Sequence, residues 1–133
     1  MIVIDASALL SVLLGESDAE MMLSKMASMV RPLVSVASVM ECTLRFGRLE
    51  MGSRDHEIDA LIVAINAEIV AVDVEQLQAA RRAFLQFGQG AGHPAKLNFG
   101  DCFTYALAKT RNVPLLFKGD DFSHTDLMPA LPI

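Results

Sequence analysis

The sequence predicts an α/β fold, a three-layer α/β/α sandwich around a central parallel sheet of four to five strands. Four short, mostly apolar runs lie at residues 1–4, 33–36, 68–72 and 115–117 and are predicted to be strands. The first shows no alternation of apolar and polar residues, which is typical of a strand buried on both faces. Segments with helical spacing separate the four runs. Alternating strands and helices favour right-handed crossovers that place helices on both faces of a parallel sheet. From the length of 133 residues, we expect one domain spanning residues 1–133.

In the first half of the chain, three helices are predicted from spacing and capping residues. A helix at residues 8–14 ends at Gly15, and the capping-box spacing of residues 17–20 begins a second helix. The same spacing at residues 38–41 begins a third helix, which reaches about residue 51 before Gly52 ends it.

In the second half, Ser53 is expected to cap a fourth helix, and a fifth covers residues 74–87. A glycine-rich loop follows at residues 88–96, and long loops in compact domains are often functional. The next helix starts within residues 98–101, runs to about Arg111 with Asn112 as its C-cap, and leads to the fourth strand. The tail, residues 123–133, need not be regular.

Composition disfavours several classes of protein. The net charge of −5 argues against broad, charge-driven nucleic-acid binding, which needs clustered Lys and Arg, but it allows a local basic patch beside an acidic metal site. The uncharged start of the chain is too short to span a bilayer and follows no basic segment, so we expect no signal peptide and no membrane contact. Cys42 and Cys102 are too few for a disulfide scaffold, which favours reduced thiols and a cytoplasmic protein.

Acidic residues stand near the ends of the predicted strands. Asp5 follows the first strand, and Glu41 lies in the first helical turn after the second. Asp120 and Asp121 follow the fourth strand, and Asp101 begins the helix that leads into it. Because parallel strands end at the same edge of a sheet, we expect these side chains to converge where ligands of open α/β sheets bind.

Each acid also has an ordinary structural explanation. Glu41 could close a capping box, Asp101 could be a first-turn acid favoured by the helix dipole, and adjacent aspartates are common in turns. Asp5 is harder to explain, because a carboxylate at the end of a buried strand requires a cap, an ion or water. Asp73, after the third strand, is interpreted as a structural helix start.

Three or four clustered carboxylates indicate a hard cation, because their charges otherwise repel one another. Oxygen-only ligands suit Mg²⁺ or Mn²⁺, and no His or Cys spacing points to zinc. Such a site can activate water and hold the phosphate of an in-line displacement.

The chain resembles the PIN-domain ribonuclease toxins of bacterial type II toxin–antitoxin systems, specifically the VapC family. The similar segments are residues 2–9, residues 38–41, the run LNFGDC at residues 97–102, and residues 115–122 with 125–126. Together they span nearly the whole chain in the order of the family.

The resemblance implies a PIN-like domain that cleaves RNA endonucleolytically with Mg²⁺, forms a homodimer and is restrained by a VapB-type antitoxin. It implies that Asp5 and Asp101 are the principal metal ligands and that Glu41 orients metal-bound water. Asp121 aligns best with the fourth acid of the family, and its neighbour Asp120 is the alternative.

The resemblance also suggests supporting and RNA-contacting residues. Ser7 is similar to a hydroxyl that supports the site through indirect or water contacts. His93 and Lys96 in the loop, with Arg81 and Arg82 nearby, could contact RNA phosphates. A solvated helix face and an ordinary loop residue explain these four side chains equally well.

The sequence also offers candidate residues for partner binding and two alternative functions. The family binds an antitoxin helix in a hydrophobic groove, for which the candidates are Met21, Met22, Phe46, Leu49 and Met51. Core packing explains the same residues equally well. The chain could instead be a catalytically silent binding module for a partner helix. A metal-dependent phosphatase would also use strand-end aspartates, but Ser7 stands where many such enzymes have a second acid.

Overall fold

The structure is a computed structural model that describes residues 1–131. Four parallel strands form one sheet in the order β3-β2-β1-β4, which confirms the predicted parallel α/β architecture. The strands are β1 Val3–Ile4, β2 Leu33–Ser35, β3 Glu68–Val70 and β4 Leu115–Leu116. Val3 pairs with both Leu33 and Leu115, so β1 lies inside the sheet.

Helices occupy the connections between these strands. Within residues 1–131 they are α1 Ala6–Leu13, α2 Ala19–Ala27, α3 Val36–Arg48, α4 Asp55–Ala64, α5 Val74–Phe87 and α6 Phe99–Arg111. A short 3₁₀ helix, Asp121–His124, follows β4. Since α1, α3 and α5 start just after strands, their first turns lie at the carboxyl edge of the sheet.

Two apolar clusters cover the two faces of the sheet. Val3 and Leu115 pack with α5 and α6 on one face, whereas Ile4 and Leu116 pack with α1 to α4 on the other. These four strand residues are at most 1% exposed, and neighbouring residues point to opposite faces as pleated strands require. The predicted three-layer sandwich is therefore confirmed.

Two predicted helix caps are wrong. The helix predicted from residues 17–20 begins after Asp18, whose carboxylate makes no cap and instead accepts hydrogen bonds from Ser11 and Lys118. α4 begins after Arg54 rather than Ser53 and has no side-chain cap. In both places the first helical turn is largely exposed, so its free N–H groups do not need the side-chain cap that the spacing favoured.

The capping box predicted at residues 38–41 is also wrong. Ser35, at the end of β2, caps α3 by accepting a hydrogen bond from the Ala37 N–H at 3.2 Å. The helix therefore begins earlier than predicted, and Ser38 lies inside it. Glu41 consequently has no capping role.

Two other predicted helix boundaries are confirmed, whereas α3 ends at Arg48 rather than at about residue 51. Asp73 caps α5 by accepting from the Gln76 N–H at 2.8 Å, which confirms its structural interpretation. α6 ends at Asn112, which adopts the left-handed conformation with φ of 54° that commonly terminates helices.

After the 3₁₀ helix, the chain returns alongside β4. The Leu115 N–H donates to the Met128 carbonyl at 2.9 Å, and the Ala130 N–H donates to the Leu115 carbonyl at 2.8 Å. These bonds form an isolated parallel bridge between Leu115 and Pro129. Pro132 and Ile133, the end of the predicted irregular tail, lie outside the described residues. In the described part of the chain, no helix has the length and apolar character needed to cross a membrane.

Candidate active site

Asp5 is buried at the carboxyl end of β1, with only 4% of its surface exposed. Its Oδ2 caps α1 by accepting a hydrogen bond from the Ser7 N–H at 3.0 Å. Its Oδ1 accepts from the Thr104 hydroxyl at 2.8 Å. A cap therefore meets part of the requirement predicted for this carboxylate, but both donors are neutral.

A chain of two buried hydroxyls fixes the orientation of Asp5. The Oγ1 of Thr104 lies 3.0 Å from the Oγ of Ser38, and both residues are at most 1% exposed. Because Thr104 donates its proton to Asp5, Ser38 must donate to Thr104. Thr104 was not among the predicted site residues, although its place three residues after Asp101 puts it on the same helix face.

Asp101 lies in the first turn of α6 and combines a capping role with a place in the acidic site. Its N–H donates to Asn98 Oδ1 at 2.9 Å, and its Oδ2 accepts from the Asn98 N–H at 3.0 Å, which is a capping box. Burial, opposed by the bond from the Asn98 N–H and supported by the charges of Asp5 and Asp121, raises the pKa of Asp101 to about 7.

Glu41 faces the same acids from α3. Burial, followed by the negative charges of Asp5 and Asp101, raises the pKa of Glu41 to about 7. The positive charge of Arg48, a residue outside the predicted site, lowers that pKa. Glu41 and Arg48 line the same cavity of about 370 Å³, whose wall also includes Phe99. The cavity thus opens directly beside the acidic group.

The structure separates the two aspartates that follow β4. Asp120 accepts from the Ser123 hydroxyl and contacts His124 Nε2, each at 2.9 Å, and its side chain is 83% exposed. The bonds from His124 and Ser123 lower the pKa of Asp120. Asp121 is instead the residue whose charge raises the pKa of Asp101. Of the two, Asp121 is the one coupled to the acidic group.

Ser7 contacts backbone rather than a carboxylate through its hydroxyl. Its Oγ accepts from the Lys118 N–H at 2.9 Å. The Lys118 ammonium pairs with Glu16 and Asp18, each at 3.2 Å. Ser7 therefore ties the start of α1 to the turn that carries Asp121, and its predicted supporting role stays a prediction.

The two cysteines near the site are unsuitable as nucleophiles. Both are free and buried, and burial raises the pKa of Cys42 to about 12 and that of Cys102 to about 11. Adjacent carboxylates add to both effects. Protonated thiols are poor metal ligands and poor nucleophiles, so the chemistry of this site rests on oxygen groups.

The donor set fits a hard cation in its chemistry, although the side chains do not form a finished site. Across residues 1–131, no three His, Cys, Asp or Glu side chains are grouped closely enough to hold a metal ion. Within the same residues, no salt bridge includes Asp5, Glu41 or Asp101. Carboxylate oxygens are the ligands that Mg²⁺ and Mn²⁺ prefer. Joint ligation requires these side chains to move closer together.

The raised pKa values predict that the metal-free protein becomes less stable as pH rises from about 5 to about 8. Glu41 and Asp101 keep their protons until about pH 7 in the folded state, against ordinary pKa values of 4.5 and 3.8. The folded state binds more protons in this window, so the free energy of unfolding falls as pH rises. Thermal melts in EDTA at several pH values test this. Between pH 5 and pH 8, the fall in melting temperature should be smaller in Asp101→Asn than in wild type. In the capping variant Asp73→Asn it should equal that of wild type. An equal fall in Asp101→Asn and wild type would contradict the prediction.

The four predicted RNA-contacting residues lie on α5 and in the loop after it. His93 Nδ1 accepts from the Ala95 N–H at 3.1 Å, and its ring packs edge-on against Phe87 with centroids 5.0 Å apart. These contacts join His93 to its own loop and to the end of α5. The other three side chains are exposed: Arg81, Arg82 and Lys96. RNA contact by all four stays a prediction.

The predicted antitoxin-contacting residues divide into two groups. Met22 and Phe46 are 3% and 1% exposed and belong to the core cluster under α1 to α4, so assigning them to a docking groove is wrong. Met21, Leu49 and Met51 are exposed at 53%, 43% and 38%. Only these three remain candidates for contact with a partner.

A family model and several known proteins match nearly the whole chain. The PIN domain family model matches residues 2–127. Ribonuclease VapC30 of Mycobacterium tuberculosis is 45% identical over 135 residues, which cover 98% of this chain and 99% of that protein. Ribonuclease VapC42 of the same species is 35% identical over 128 residues, covering 96% of this chain and 98% of that protein.

Solved structures agree with the fold. M. tuberculosis VapC20, described as a sarcin-ricin loop cleaving toxin, matches with a TM-score of 0.73 at 15% identity and covers 97% of this chain and 100% of its own. A toxin–antitoxin complex from Klebsiella pneumoniae matches with a TM-score of 0.71 at 15% identity, covering 100% of both chains. At such low identities this likeness supports the fold alone. On the sequence matches, the chain belongs to the VapC family of PIN-domain ribonucleases.

Proposed function

We propose that the chain is the toxin of a type II toxin–antitoxin pair and cleaves RNA endonucleolytically with Mg²⁺, for which Mn²⁺ can substitute. One observation carries the proposal: the half-buried carboxyl of Glu41 faces the buried carboxyls of Asp5 and Asp101, so that desolvation and then their charges raise its pKa. Within residues 1–131 none of these three acids forms a salt bridge. Such like-charge clustering marks functional sites. RNA is the proposed substrate because the relatives named above are ribonucleases.

Asp5 and Asp101 are the proposed principal ligands of the cation. The capping box occupies Oδ2 of Asp101, and Oδ1 takes no part in it. Each oxygen of Asp5 accepts one bond from a neutral donor, and a carboxylate oxygen has a second lone pair to offer. When bound, Mg²⁺ would supply charge stabilisation at the attacking and leaving oxygens of the phosphodiester.

Glu41 is the proposed proton acceptor for the attacking water. Its carboxyl lies beside the two proposed ligands, whose charges act on it, and a carboxylate within reach of the attacking water can serve as a general base. Ser38 and Thr104 hold the carboxylate of Asp5 in one orientation. Ser7 holds the turn after β4 and thereby the position of the fourth acid.

Asp121 is the proposed fourth acid, and Asp120 is its matched control. We expect Asp121→Asn to slow RNA cleavage roughly tenfold, because its charge acts on Asp101 and indirect contacts to a metal site typically contribute at this level. Asp120→Asn should stay within about twofold of wild type, since Asp120 is bound to Ser123 and His124. Initial rates on one RNA substrate test both variants, and a larger effect of Asp120→Asn would reverse the assignment.

We further propose a VapB-type antitoxin as partner, a homodimer as the assembly, and the cytoplasm as location. A structural relative was solved in a toxin–antitoxin complex, which supports the partner. Exposed Phe84, Leu85 and Phe99 surround an apolar groove of about 660 Å³ between α5 and α6, which supports self-association. Two buried free thiols suit a reducing compartment.

Incubation of the purified chain with total RNA tests the proposed activity. We expect internal cuts with Mg²⁺ or Mn²⁺, none in EDTA, and recovery when excess Mg²⁺ is restored. Equal cleavage in EDTA would contradict the metal requirement. No cleavage with either metal would favour the silent binding module, and hydrolysis of p-nitrophenyl phosphate without RNA cleavage would favour a phosphatase.

A further inference from the structure

Gly100, in the first turn of α6, lies against the carboxyl group of Glu41. A Cβ built on Gly100 would fall 1.7 Å from Oε1 of Glu41 and 2.7 Å from its Cδ. Atoms cannot approach so closely, so any side chain at position 100 must displace this carboxyl. The backbone of Gly100 is helical, and its φ is not among the positive glycine values. The need for glycine here is therefore one of space.

The geometry assigns Gly100 as a positioning residue: the missing side chain gives the Glu41 carboxyl its place beside Asp101. The atoms that would collide are the far end of a flexible side chain, which can rotate away without disturbing the core. Alanine is also a better helix former than glycine. Substitution should therefore preserve the fold and remove one carboxyl from the site. This inference rests on the proposed function, in which Glu41 accepts a proton.

Gly100→Ala has a close control in Gly47→Ala. Gly47 is also helical, in α3, but a Cβ there would meet nothing within 4 Å. With Mg²⁺ or Mn²⁺, we expect Gly100→Ala to cleave RNA at least about tenfold more slowly than wild type. Gly47→Ala should cleave at the wild-type rate. Equal rates for wild type and Gly100→Ala would overturn the inference while leaving the proposed activity intact.

Thermal unfolding of a double-mutant cycle tests the contact without any activity. The shift in melting temperature caused by Gly100→Ala should differ by at least about 2 °C between the wild-type and Glu41→Ala backgrounds. In the second background the colliding atoms are absent. The shift caused by Gly47→Ala should be the same in both. Equal shifts for Gly100→Ala would overturn the contact, and because the melts need neither metal nor RNA, this outcome is separable from failure of the proposed function.

Discussion

Asp101→Asn is expected to reduce metal-dependent RNA cleavage by roughly a thousandfold, because a metal centre supplies several kcal/mol of charge stabilisation. The substitution removes a charge and leaves the shape of the side chain almost unchanged. An asparagine oxygen can still accept from the Asn98 N–H, as Oδ2 of Asp101 does at 3.0 Å, so α6 keeps its start. The loss should therefore lie in catalysis. Asp5→Asn is expected to have a similar effect.

Single-turnover cleavage of a defined RNA, with Mg²⁺ and then with Mn²⁺, measures this effect. The matched control is Asp73→Asn, because Asp73 also follows a strand and caps a helix but lies outside the acidic group. It should cleave at the wild-type rate. Full activity in both Asp5→Asn and Asp101→Asn would contradict the proposed ligand set.

Stability measurements separate this effect from misfolding. In the metal-free protein at pH 8, Asp101→Asn should be at least as stable as wild type, because it removes a buried charge that Asp5 and Asp121 disfavour. Added Mn²⁺ should raise the melting temperature of wild type more than that of the variant. A variant that is inactive and also unfolded would carry no information about ligation.

The fold was predictable because each strand is a short apolar run followed by a helical stretch. Val3 and Ile4 are each fully buried, on opposite faces, which is what a run without alternation indicates. The strand order was not predictable in the same way. The position of β1 between β2 and β4 depends on which way each crossover turns, and no residue in the strands encodes that choice locally.

Helix starts were predicted less well than helices. Serine followed three residues later by glutamate occurs at residues 17–20 and 38–41, yet neither forms a capping box. In the second case Ser35 ends β2 in an extended conformation with ψ of 141°, so it can cap α3 earlier. The tertiary position of the strand decided the start, and local spacing could not.

In the acidic site, too, some features follow from the sequence pattern and others arise only from tertiary packing. The convergence of Asp5 and Asp101 was predictable because parallel topology places strand ends and helix starts at one edge. Thr104 was missed because its contact with Asp5 joins residues 99 positions apart, and a threonine within a helix has no local signature of that contact. The steric role of Gly100 toward Glu41 is likewise visible only once α3 and α6 are packed together.

Thr104→Val is expected to lower RNA cleavage by roughly 10- to 100-fold, the usual cost of removing a group that orients a metal ligand. Valine has nearly the same shape but cannot donate the 2.8 Å hydrogen bond to Asp5 Oδ1. It also leaves the hydroxyl of Ser38, which is 1% exposed, without its partner. We therefore expect a loss of about 1–3 kcal/mol in the free energy of unfolding as well.

Thr104→Ser distinguishes the hydroxyl from the methyl group of the side chain. Serine keeps the donor, so cleavage should stay within a few-fold of wild type, although the lost methyl leaves a small cavity. Denaturant unfolding and cleavage rates, measured on wild type and both variants, separate stability from catalysis. If the serine variant lost as much activity as the valine variant, packing at position 104 would matter and the hydroxyl chain to Asp5 would not. Near-wild-type cleavage by Thr104→Val would mean that Asp5 holds its orientation through the Ser7 N–H alone.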